Sequence, residues 1–295
     1  AQNMPAAEID VTEHLVRGLL VEQHPDLADL PLTLVANGWD NAIFRLGDEL
    51  CVRVPRRAMA AALVVNEQRW LGALAPRLPI PVPAPSRVGK PMGEYPWSWS
   101  ICPWFDGEVA AEAALADPVA EATRLGEFLT ALHQAAPSDV PANPFLRGGP
   151  VTALDDRFRS NLEQLDDASL REAAIRRWQE LTPFEEWDGP PLWVHGDLHT
   201  ANVLVERGTV AAVIDFGDIA AGDPSVDLAI AWMLFEGDAR DEFRRVAGTD
   251  VAVDDAMWRR AEGWALHFGV LYLIHSADNP RFTRMGDRLL GALLG

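Results

Sequence analysis

Acidic and amide side chains of the kind that ligate metal ions lie close together between His195 and Asp218. Asp197 follows a strand-like run, Asn202 comes five positions later, and Asp215 stands at the end of a predicted hairpin. Acids are costly to bury unless something positive compensates them. Because Mg²⁺ prefers oxygen ligands and keeps several waters, one carboxylate and one amide suffice beside phosphate groups. The residue types therefore predict a Mg²⁺–nucleotide site with Asn202 and Asp215 as metal ligands.

Asp197 is the candidate catalytic base of this site. Phosphoryl transfer depends mostly on positioning and charge neutralisation, and a carboxylate that accepts the proton of the attacking hydroxyl also orients that hydroxyl. The order His195-Gly196-Asp197, four residues, Asn202 and then Asp215-Phe216-Gly217 follows the protein-kinase pattern H-R-D-x-x-x-x-N and D-F-G. An ordinary acidic turn and hairpin could match one of these motifs. The full set in order indicates kinase-like chemistry.

Strand patterns dominate the first hundred residues and helical patterns dominate the rest. The predicted strands are Leu32–Ala36, Ala42–Leu46, Leu50–Val54, Ser98–Pro103, Val203–Val205 and Val210–Asp215. The predicted helices are Ile9–Gln23, Ala58–Leu74, Val119–Ala135, Leu154–Leu165 and Leu170–Leu181, followed by a helical C-terminal region. Prolines at alternate positions from Pro79 to Pro85 predict an extended linker.

This distribution predicts the α+β class, with a small β-rich N-terminal lobe and a large helical C-terminal lobe. We expect the N-terminal lobe to span residues 1–101, a hinge to span 102–106, and the C-terminal lobe to span 107–295. Ligand sites are commonly found in clefts between such units. The catalytic residues are therefore expected to face a cleft between the lobes.

The segments HGDLHTAN, IDFGD and GDPSVDLA resemble the aminoglycoside phosphotransferase family, whose members have a protein-kinase-like two-lobe fold. The glycine of HGD, where protein kinases carry arginine, is typical of that family. The resemblance covers nearly the whole chain, from the strands near Leu32 to the last helices. It implies that Asp197 is the catalytic residue, that Asn202 and Asp215 are the Mg²⁺ ligands, and that ATP or GTP is the co-substrate.

Further residues around the motif take supporting roles by the same resemblance. Asp227, in DPSVDLA, matches an aspartate that braces the catalytic loop from below. His195 and His199 match loop histidines, for which hydrogen bonds that hold the loop are preferred over a catalytic role. Asp218 has two interpretations: it supports the metal ligands through hydrogen bonds, or it caps the loop that follows.

The nucleotide side of the site is expected on the N-terminal strands. Members of the family usually carry a strand lysine that contacts the phosphates and pairs with a helix glutamate. Here the strand CVRVPRR carries Arg53 at that position, and Glu67 is the candidate partner on the helix. Arginine keeps the charge but differs from lysine in reach and geometry. The letters RVPRR resemble the corresponding strand of the macrolide phosphotransferases.

Two backbone segments complete the predicted nucleotide site. The stretch NGWDN stands where the phosphate-covering loop belongs, and we expect Gly38 and the Asn41 side chain to approach the phosphates. By resemblance, the backbone of Cys102, Pro103 and Phe105 would hydrogen-bond the purine. Since Pro103 offers only a carbonyl, a donor would have to come from Phe105.

The acceptor is expected over Asp197, against the C-terminal helices. The candidate acceptor-binding residues are Trp232, Glu236, Asp238, Glu262 and His267. Acids there would favour an aminocyclitol cation, whereas exposed aromatic side chains would favour a macrolide or the face of a sugar. A tryptophan at helical spacing also packs inward in most cases, so each one has a core interpretation as well.

Composition limits the partners. The formal net charge is −19, so the surface repels nucleic acid and anionic membranes and suits a cationic ligand, although acidity also serves solubility. The two cysteines form no metal or disulfide pattern, which indicates a reducing compartment. The sequence shows no signal peptide and no membrane-spanning run, so we expect a cytoplasmic protein, as a monomer or homodimer.

Several functions remain open at this point. The favoured one is a small-molecule O-kinase that transfers the γ-phosphoryl group of ATP or GTP to a hydroxyl of a cationic or glycosylated antibiotic, with aminoglycosides and macrolides as competing acceptors. An endogenous sugar or amino alcohol is the alternative acceptor. A catalytically inert nucleotide-binding module is supported only by the lysine-to-arginine change at Arg53. A protein kinase is disfavoured because GDPSVDLA follows Asp215 too soon for a long activation loop.

Overall fold

An antiparallel sheet of five strands forms the N-terminal lobe. The computed structural model describes residues 6–38, 40–247, 254–275 and 279–295. The strands of this sheet are β1 Leu32–Asn37, β2 Asn41–Leu46, β3 Leu50–Pro55, β4 Arg87–Gly89 and β5 Trp99–Pro103, in the order β1-β2-β3-β5-β4. Its helices are α1 Glu13–Gln23 and α2 Ala58–Leu74.

Helix α1 closes one face of the sheet through an apolar stripe. The side chain of Thr12 caps the helix by accepting a hydrogen bond of 3.2 Å from the Leu15 amide, which satisfies a donor left over at the helix start. Val16, Leu19 and Leu20 follow helical spacing and are fully buried. They join the inward residues of the strands in one hydrophobic cluster.

Helix α2 lies between the sheet and the C-terminal lobe. Val64, Glu67 and Leu71 lie on its buried face, at intervals of three and four residues. The Asn66 side chain donates a hydrogen bond of 2.7 Å to the carbonyl of Ile219, which belongs to the other lobe. The helix that carries Glu67 is therefore held against both lobes at the cleft.

The chain passes from one lobe to the other between Pro103 and Glu108. It leaves the five-stranded sheet after β5 and enters β6 Glu108–Val109, which pairs with β8 Val203–Glu206. β9 Thr209–Val213 completes this second sheet, and β7 Leu192–Val194 pairs separately with β10 Ala220–Gly222. The predicted hinge at 102–106 covers most of this passage, and the lobe boundaries themselves stay a prediction.

Helices build the rest of the C-terminal lobe. They are α3 Pro118–Leu132, α4 Asp155–Leu162, α5 Ala168–Leu181, α6 Ser225–Leu228, α7 Ile230–Leu234, α8 Gly237–Val246, α9 Asp255–His275 and α10 Pro280–Leu294. Helix α9 is the central one: it packs against α5, α6 and α10 and buries residues on most of its circumference. Of the helices in the described part of the chain, none combines the length and apolarity needed to cross a bilayer.

The predicted α+β class, with a β-rich N-terminal and a helical C-terminal lobe, is confirmed, while several bounds were wrong. The predicted helix to Ala135 ends at Leu132, and the next residue, His133, turns inward to a buried aspartate. The predicted strand to Asp215 ends at Val213 because Asp215 itself has a φ of +64°. Strands β4, β6 and β10 have two or three residues each and were not predicted.

Candidate active site

The catalytic loop between β7 and β8 is held from below by Asp227. Its carboxylate is fully buried and accepts hydrogen bonds from the amides of His195 (2.7 Å) and Gly196 (2.9 Å). His133 Nε2 donates to the same group at 3.1 Å. A buried carboxylate with this set of donors is compensated, and it fixes two consecutive peptide units just before Asp197. Asp227 therefore holds the backbone of this part of the loop in place from below.

Gly196 is needed at its position by the backbone. Its φ is +81°, and a Cβ atom there would lie 2.7 Å from the Asp218 carbonyl oxygen. Any L side chain would meet both the strained conformation and the contact. The glycine lets the loop carrying Asp197 pass close to the segment that follows Asp215.

We expect Gly196→Ala to destabilise the protein by about 1–3 kcal/mol, the usual cost of such backbone strain. We also expect kcat to fall about 100-fold, because a shift of about 1 Å in a catalytic group has effects of that size. Chemical denaturation and steady-state kinetics measure the two effects. Gly72→Ala is the matched control, because Gly72 is an exposed helix residue with open space around it, and it should be neutral or stabilising. Equal behaviour of the two variants would contradict the role given to Gly196.

Asp197 lies in the cleft beside a positive charge that the sequence analysis missed. Arg147 Nη1 donates to Asp197 Oδ1 and, at 3.0 Å, to the Gly196 carbonyl, and its guanidinium lies over the Phe268 ring. His199 Nε2 is 3.6 Å from Asp197 Oδ2. Burial favours the neutral acid, but Arg147 and His199 outweigh it and lower the pKa of the Asp197 carboxyl below its ordinary value. The Asp197 carboxylate, the candidate base, is therefore held ionised.

The two loop histidines hold the loop through backbone hydrogen bonds. His195 is fully buried; its Nδ1 accepts from the Asp197 amide at 3.2 Å, and its Nε2 lies 3.0 Å from the Ile214 carbonyl. His199 Nδ1 accepts from the Ala201 amide at 3.2 Å. A ring nitrogen that faces a carbonyl must donate, so Nε2 of His195 carries the proton. His195 is buried and both of its ring nitrogens face backbone groups, so it does not line the cleft.

Asn202 and Asp215 offer the oxygen atoms that a Mg²⁺ site requires. Asn202 Nδ2 donates to the Asp197 carbonyl at 2.9 Å, so its amide oxygen is the atom left for a cation. The Asp215 side chain is 56% exposed and both residues line the cleft. In the described ranges, no group of three or more His, Cys, Asp or Glu residues forms a metal cluster. The donor set fits Mg²⁺, which needs one or two protein oxygens when phosphates and water supply the others.

Asp218 is tied to the loop ahead of α4. Asn143 Nδ2 donates to the Asp218 carboxylate at 2.8 Å and to its carbonyl at 3.0 Å. Burial raises the pKa of the Asp218 carboxyl, the charge of Arg147 opposes the rise, and the nearby Asp197 carboxylate adds to it. The Asn143 hydrogen bonds hold Asp218 within the electrostatic influence of Arg147 and Asp197, which fits a supporting role for the site.

On the opposite side of the cleft, Arg53 of β3 forms a buried ion pair with Glu67 of α2. Arg53 Nη1 donates to both carboxylate oxygens, at 2.8 and 2.9 Å, and the residues are 7% and 1% exposed. Arg53 Nη2 also lies 3.5 Å from Asp215 Oδ1. Burial opposes the charge on Arg53, but Glu67 and Asp215 outweigh it and raise the pKa of the guanidinium. The structure thus joins the strand cation to the helix acid and to the candidate metal ligand.

The two predicted backbone segments reach the same cleft. Gly38 and Asn41 line it, and the Gly38 amide donates to the Asn41 carbonyl at 2.9 Å, which closes the turn between β1 and β2. Trp39, within this loop, lies outside the described residues. Pro103 and Phe105 line the cleft at the connection between the lobes. Cys102 does not line it, because its side chain is buried in the sheet.

The residues predicted to bind the acceptor are not brought to the cleft, and this part of the sequence analysis is corrected. His267 is buried among the rings of Phe158, Trp264 and Phe268. Trp232 is buried edge-on to Trp258, whose ring also faces Phe243 in the core. The three acids point elsewhere: Glu262 pairs with Arg177, Glu236 lies 3.5 Å from Arg288, and Asp238 is an exposed residue in the first turn of α8.

The residues that line the acceptor side were missed by the sequence analysis. Besides Arg147, they are Phe145, Phe268, Leu271, Tyr272, Ile274 and Phe282. Tyr272 and Phe282 lie edge-on to the His199 ring at 5.8 and 5.6 Å, which places them beside the catalytic loop. The sequence analysis placed the acceptor against the C-terminal helices but did not select Phe268 or Tyr272 from them. No spacing signal separates their cleft-facing positions from core positions on the same helix.

We expect Arg147→Met to move the acidic limb of the kcat/KM profile to higher pH. The active form has an ionised Asp197, and the methionine removes the charge and hydrogen bond that lower the pKa of that carboxyl, while burial still raises it. As the pH falls, the Asp197 carboxyl is then protonated at a higher pH than in the wild type, and kcat/KM decreases from that pH downward. Arg281→Met is the matched control, because Arg281 also lines the cleft but pairs with Glu112. The same limb position in both variants and wild type would contradict the inferred effect of Arg147.

The cleft has a volume of about 1180 Å³, which exceeds the roughly 300–1,000 Å³ of sites for one small ligand. A nucleotide and an acceptor could both be accommodated. A β-rich lobe and a helical lobe that enclose a loop aspartate, an amide and a hairpin aspartate define the class of kinase-like phosphotransferases. The chain belongs to the phosphotransferase enzyme family, whose family model matches residues 31–264.

Solved structures show the same fold. The GDP complex of wild-type aminoglycoside 2'-phosphotransferase-IIIa has a TM-score of 0.74 and 21% identity, over 95% of this chain and 98% of that chain. The apoenzyme of macrolide 2'-phosphotransferase MphH from Brachybacterium faecium has a TM-score of 0.62 and 21% identity, over 95% and 97%. The streptomycin-ATP-APH(2")-IIa ternary complex has a TM-score of 0.58 and 18% identity, over 96% and 97%. The kinase-like fold is thereby confirmed. No curated protein matches in a sequence comparison.

Proposed function

We propose that this protein transfers the γ-phosphoryl group of ATP or GTP to a hydroxyl of a small-molecule antibiotic, an aminoglycoside or a macrolide, with Mg²⁺ as cofactor. The observation that carries the proposal is the meeting of Asp197, Asn202 and Asp215 in one cleft with the Arg53–Glu67 pair. Family membership supports phosphotransfer to a small molecule. The related structures with GDP, streptomycin and ATP support a nucleotide and an antibiotic as the two substrates.

The chain's own groups can perform the main tasks of the reaction. Asp197 accepts a hydrogen bond from the acceptor hydroxyl, orients it towards the γ-phosphorus, and takes its proton as the new O–P bond forms and the bond from the γ-phosphorus to the departing ADP or GDP breaks. Arg147 keeps that carboxylate ionised beforehand. Arg53, directed by Glu67 towards Asp215, supplies positive charge near the phosphates. Gly38 and Asn41 bring backbone and amide groups to the phosphate side.

Asn202 and Asp215 are the residues that would hold Mg²⁺. When bound, the ion would neutralise phosphate charge and stabilise the negative charge that develops on the leaving nucleotide. The φ of +64° at Asp215 is an uncommon conformation for a residue other than glycine, and it sets the direction of this carboxylate at the end of the hairpin.

Two other functions differ from this proposal in the acceptor: one uses a different acceptor and the other uses none. A kinase of an endogenous sugar or amino alcohol would use the same chemistry, since this fold hosts many acceptors. An inert nucleotide-binding module has little support, because Arg53 keeps the ion pair with a buried helix acid. The cytoplasmic location, the oligomeric state and the choice between ATP and GTP stay predictions.

A nucleotide-consumption assay tests the proposal. Mg-ATP and Mg-GTP are each supplied with aminoglycosides, macrolides, tuberactinomycin-type peptides, amino sugars and amino alcohols, and Asp197→Asn serves as the blank. We expect turnover with one antibiotic class that is absent in the variant. Turnover only with a metabolite would establish the alternative acceptor, and nucleotide binding without any turnover would favour the inert module.

A further inference from the structure

The acceptor side of the cleft is an apolar wall built by α9, α10 and the loop before α4. We call it the aromatic wall; it consists of Phe145, Phe268, Leu271, Tyr272, Ile274 and Phe282. The rings contact one another: Phe268 stacks on Tyr272 at 6.1 Å, and Tyr272 lies edge-on to Phe282 at 5.5 Å. Phe268 and Tyr272 are buried behind this surface, and the apolar area open to a ligand comes from exposed Phe145 and half-buried Leu271, Ile274 and Phe282.

The aromatic wall begins directly beside the reacting groups. Tyr272 and Phe282 contact the ring of His199, which itself lies 3.6 Å from Asp197. Phe268 lies under the guanidinium of Arg147, 5.1 Å from its ring centre. A molecule whose hydroxyl reaches Asp197 therefore has this apolar surface beside it.

The cleft carries no surplus of negative charge, unlike the protein as a whole. Of the described residues that line it, four are aspartates, four are arginines, and none is a glutamate or lysine. These formal charges cancel, whereas the whole chain carries −19. Among the described residues, the acidity that suggested a cationic acceptor thus lies outside the cleft lining.

The individual acids of the cleft also have partners. Arg147 pairs with Asp197, Arg57 with Asp40, and Arg53 with Asp215. Asp218 accepts from Asn143, and burial raises the pKa of its carboxyl. A ligand with several ammonium groups would therefore meet few carboxylates able to replace the water that it loses on binding.

We propose that the acceptor is an amphiphilic alcohol, with an apolar body that packs on the aromatic wall and no more than one positive charge, rather than a polycation. This inference rests on the proposed function and selects among its acceptors. Its energy comes from apolar area, which gives about fourfold in affinity for each buried methylene. Binding should depend little on ionic strength, whereas recognition of a polycation would weaken with salt.

Calorimetric titration of the wild-type protein tests the inference. The probes are methyl, butyl, hexyl and octyl β-D-glucoside below their micelle concentrations, and an aminoglycoside with four amino groups. Mg²⁺ and ADP or GDP are present, so binding is measured without transfer. We expect Kd to fall about fourfold per methylene along the series, with the same values at low and high salt. Tighter binding of the polyamine than of octyl glucoside, or a Kd independent of chain length, would overturn the inference.

A matched pair of variants locates the effect. Ile274→Glu adds a carboxylate to the aromatic wall, and Val119→Glu adds one at an exposed apolar position of α3 outside the cleft. We expect only Ile274→Glu to weaken octyl glucoside, by at least tenfold, and to strengthen the polyamine. Equal effects of the two substitutions would overturn the assignment of the wall. If the wild-type protein phosphorylated polyamines and no amphiphilic alcohol, the inferred acceptor class would be overturned and the proposed phosphotransfer would stand. If the wild-type protein phosphorylated no acceptor at all, the proposed function would be rejected, while the measured binding preference of the aromatic wall would stand.

Discussion

Replacing Asp197 by asparagine is expected to lower kcat about 10²- to 10⁴-fold, the usual contribution of a positioned acid or base. Asparagine keeps the shape of the side chain but cannot take the hydroxyl proton. The proposed nucleotide contacts lie on the opposite side of the cleft, around Arg53 and Glu67, so nucleotide affinity should change less than about threefold. Steady-state kinetics and equilibrium nucleotide binding give the two values.

The matched control for this substitution is Asp155→Asn. Asp155 also pairs with an arginine, Arg159 at 2.8 Å, and it lies on α4 outside the cleft lining. It separates the loss of an ion pair from the loss of the base, and it should leave kcat unchanged. Thermal unfolding of both variants shows whether Arg147, left without its carboxylate, destabilises the fold. Full activity of Asp197→Asn would reject Asp197 as the base.

The substitution Arg53→Met is expected to destabilise the protein by about 3–5 kcal/mol, because Glu67 would remain as a buried, uncompensated charge. Glu67→Leu should cost less, since Arg53 then keeps Asp215 at 3.5 Å. The double variant Arg53→Met/Glu67→Leu should recover most of the stability, because an apolar pair of similar size avoids the desolvation of two ions. Urea denaturation of all three variants and the wild type gives the free energies of unfolding, from which the coupling free energy between Arg53 and Glu67 follows.

Activity should behave differently from stability in this cycle. The double variant restores folding but not the positive charge near the phosphates, so kcat/KM should stay low in every protein that lacks Arg53. Arg53→Lys keeps the charge and tests whether the planar group is required. If the double variant regained wild-type kcat/KM, Arg53 would have no role beyond the ion pair.

The sequence predicted the parts of the site that are local in the chain. Asp197, Asn202 and Asp215 lie within one loop–hairpin unit, so their spacing alone indicates that they converge. Arg53 and Glu67 were found through the family resemblance, because family members usually pair a strand lysine with a helix glutamate.

The missed residues depend on tertiary packing. Arg147 comes from a loop fifty positions before Asp197, and no local pattern shows that it reaches the catalytic carboxylate. Helix α9 is buried on most sides, so helical spacing could not separate His267 in the core from Leu271 and Tyr272 in the cleft. Net charge could not choose the acceptor for a similar reason, because a whole-chain sum does not show where the acids lie.

The aromatic wall and the catalytic loop belong to separate parts of the lobe. The loop is held by Asp227 and by backbone hydrogen bonds, whereas the wall consists of side chains on α9, α10 and one preceding loop. Substitutions at wall positions other than Phe268, Tyr272 and Phe282, whose rings contact Arg147 or His199, can therefore accumulate during evolution with little effect on the groups that carry out the chemistry. Under selection by a new compound, the acceptor range of this scaffold would diversify through those helices, while the loop is inherited unchanged.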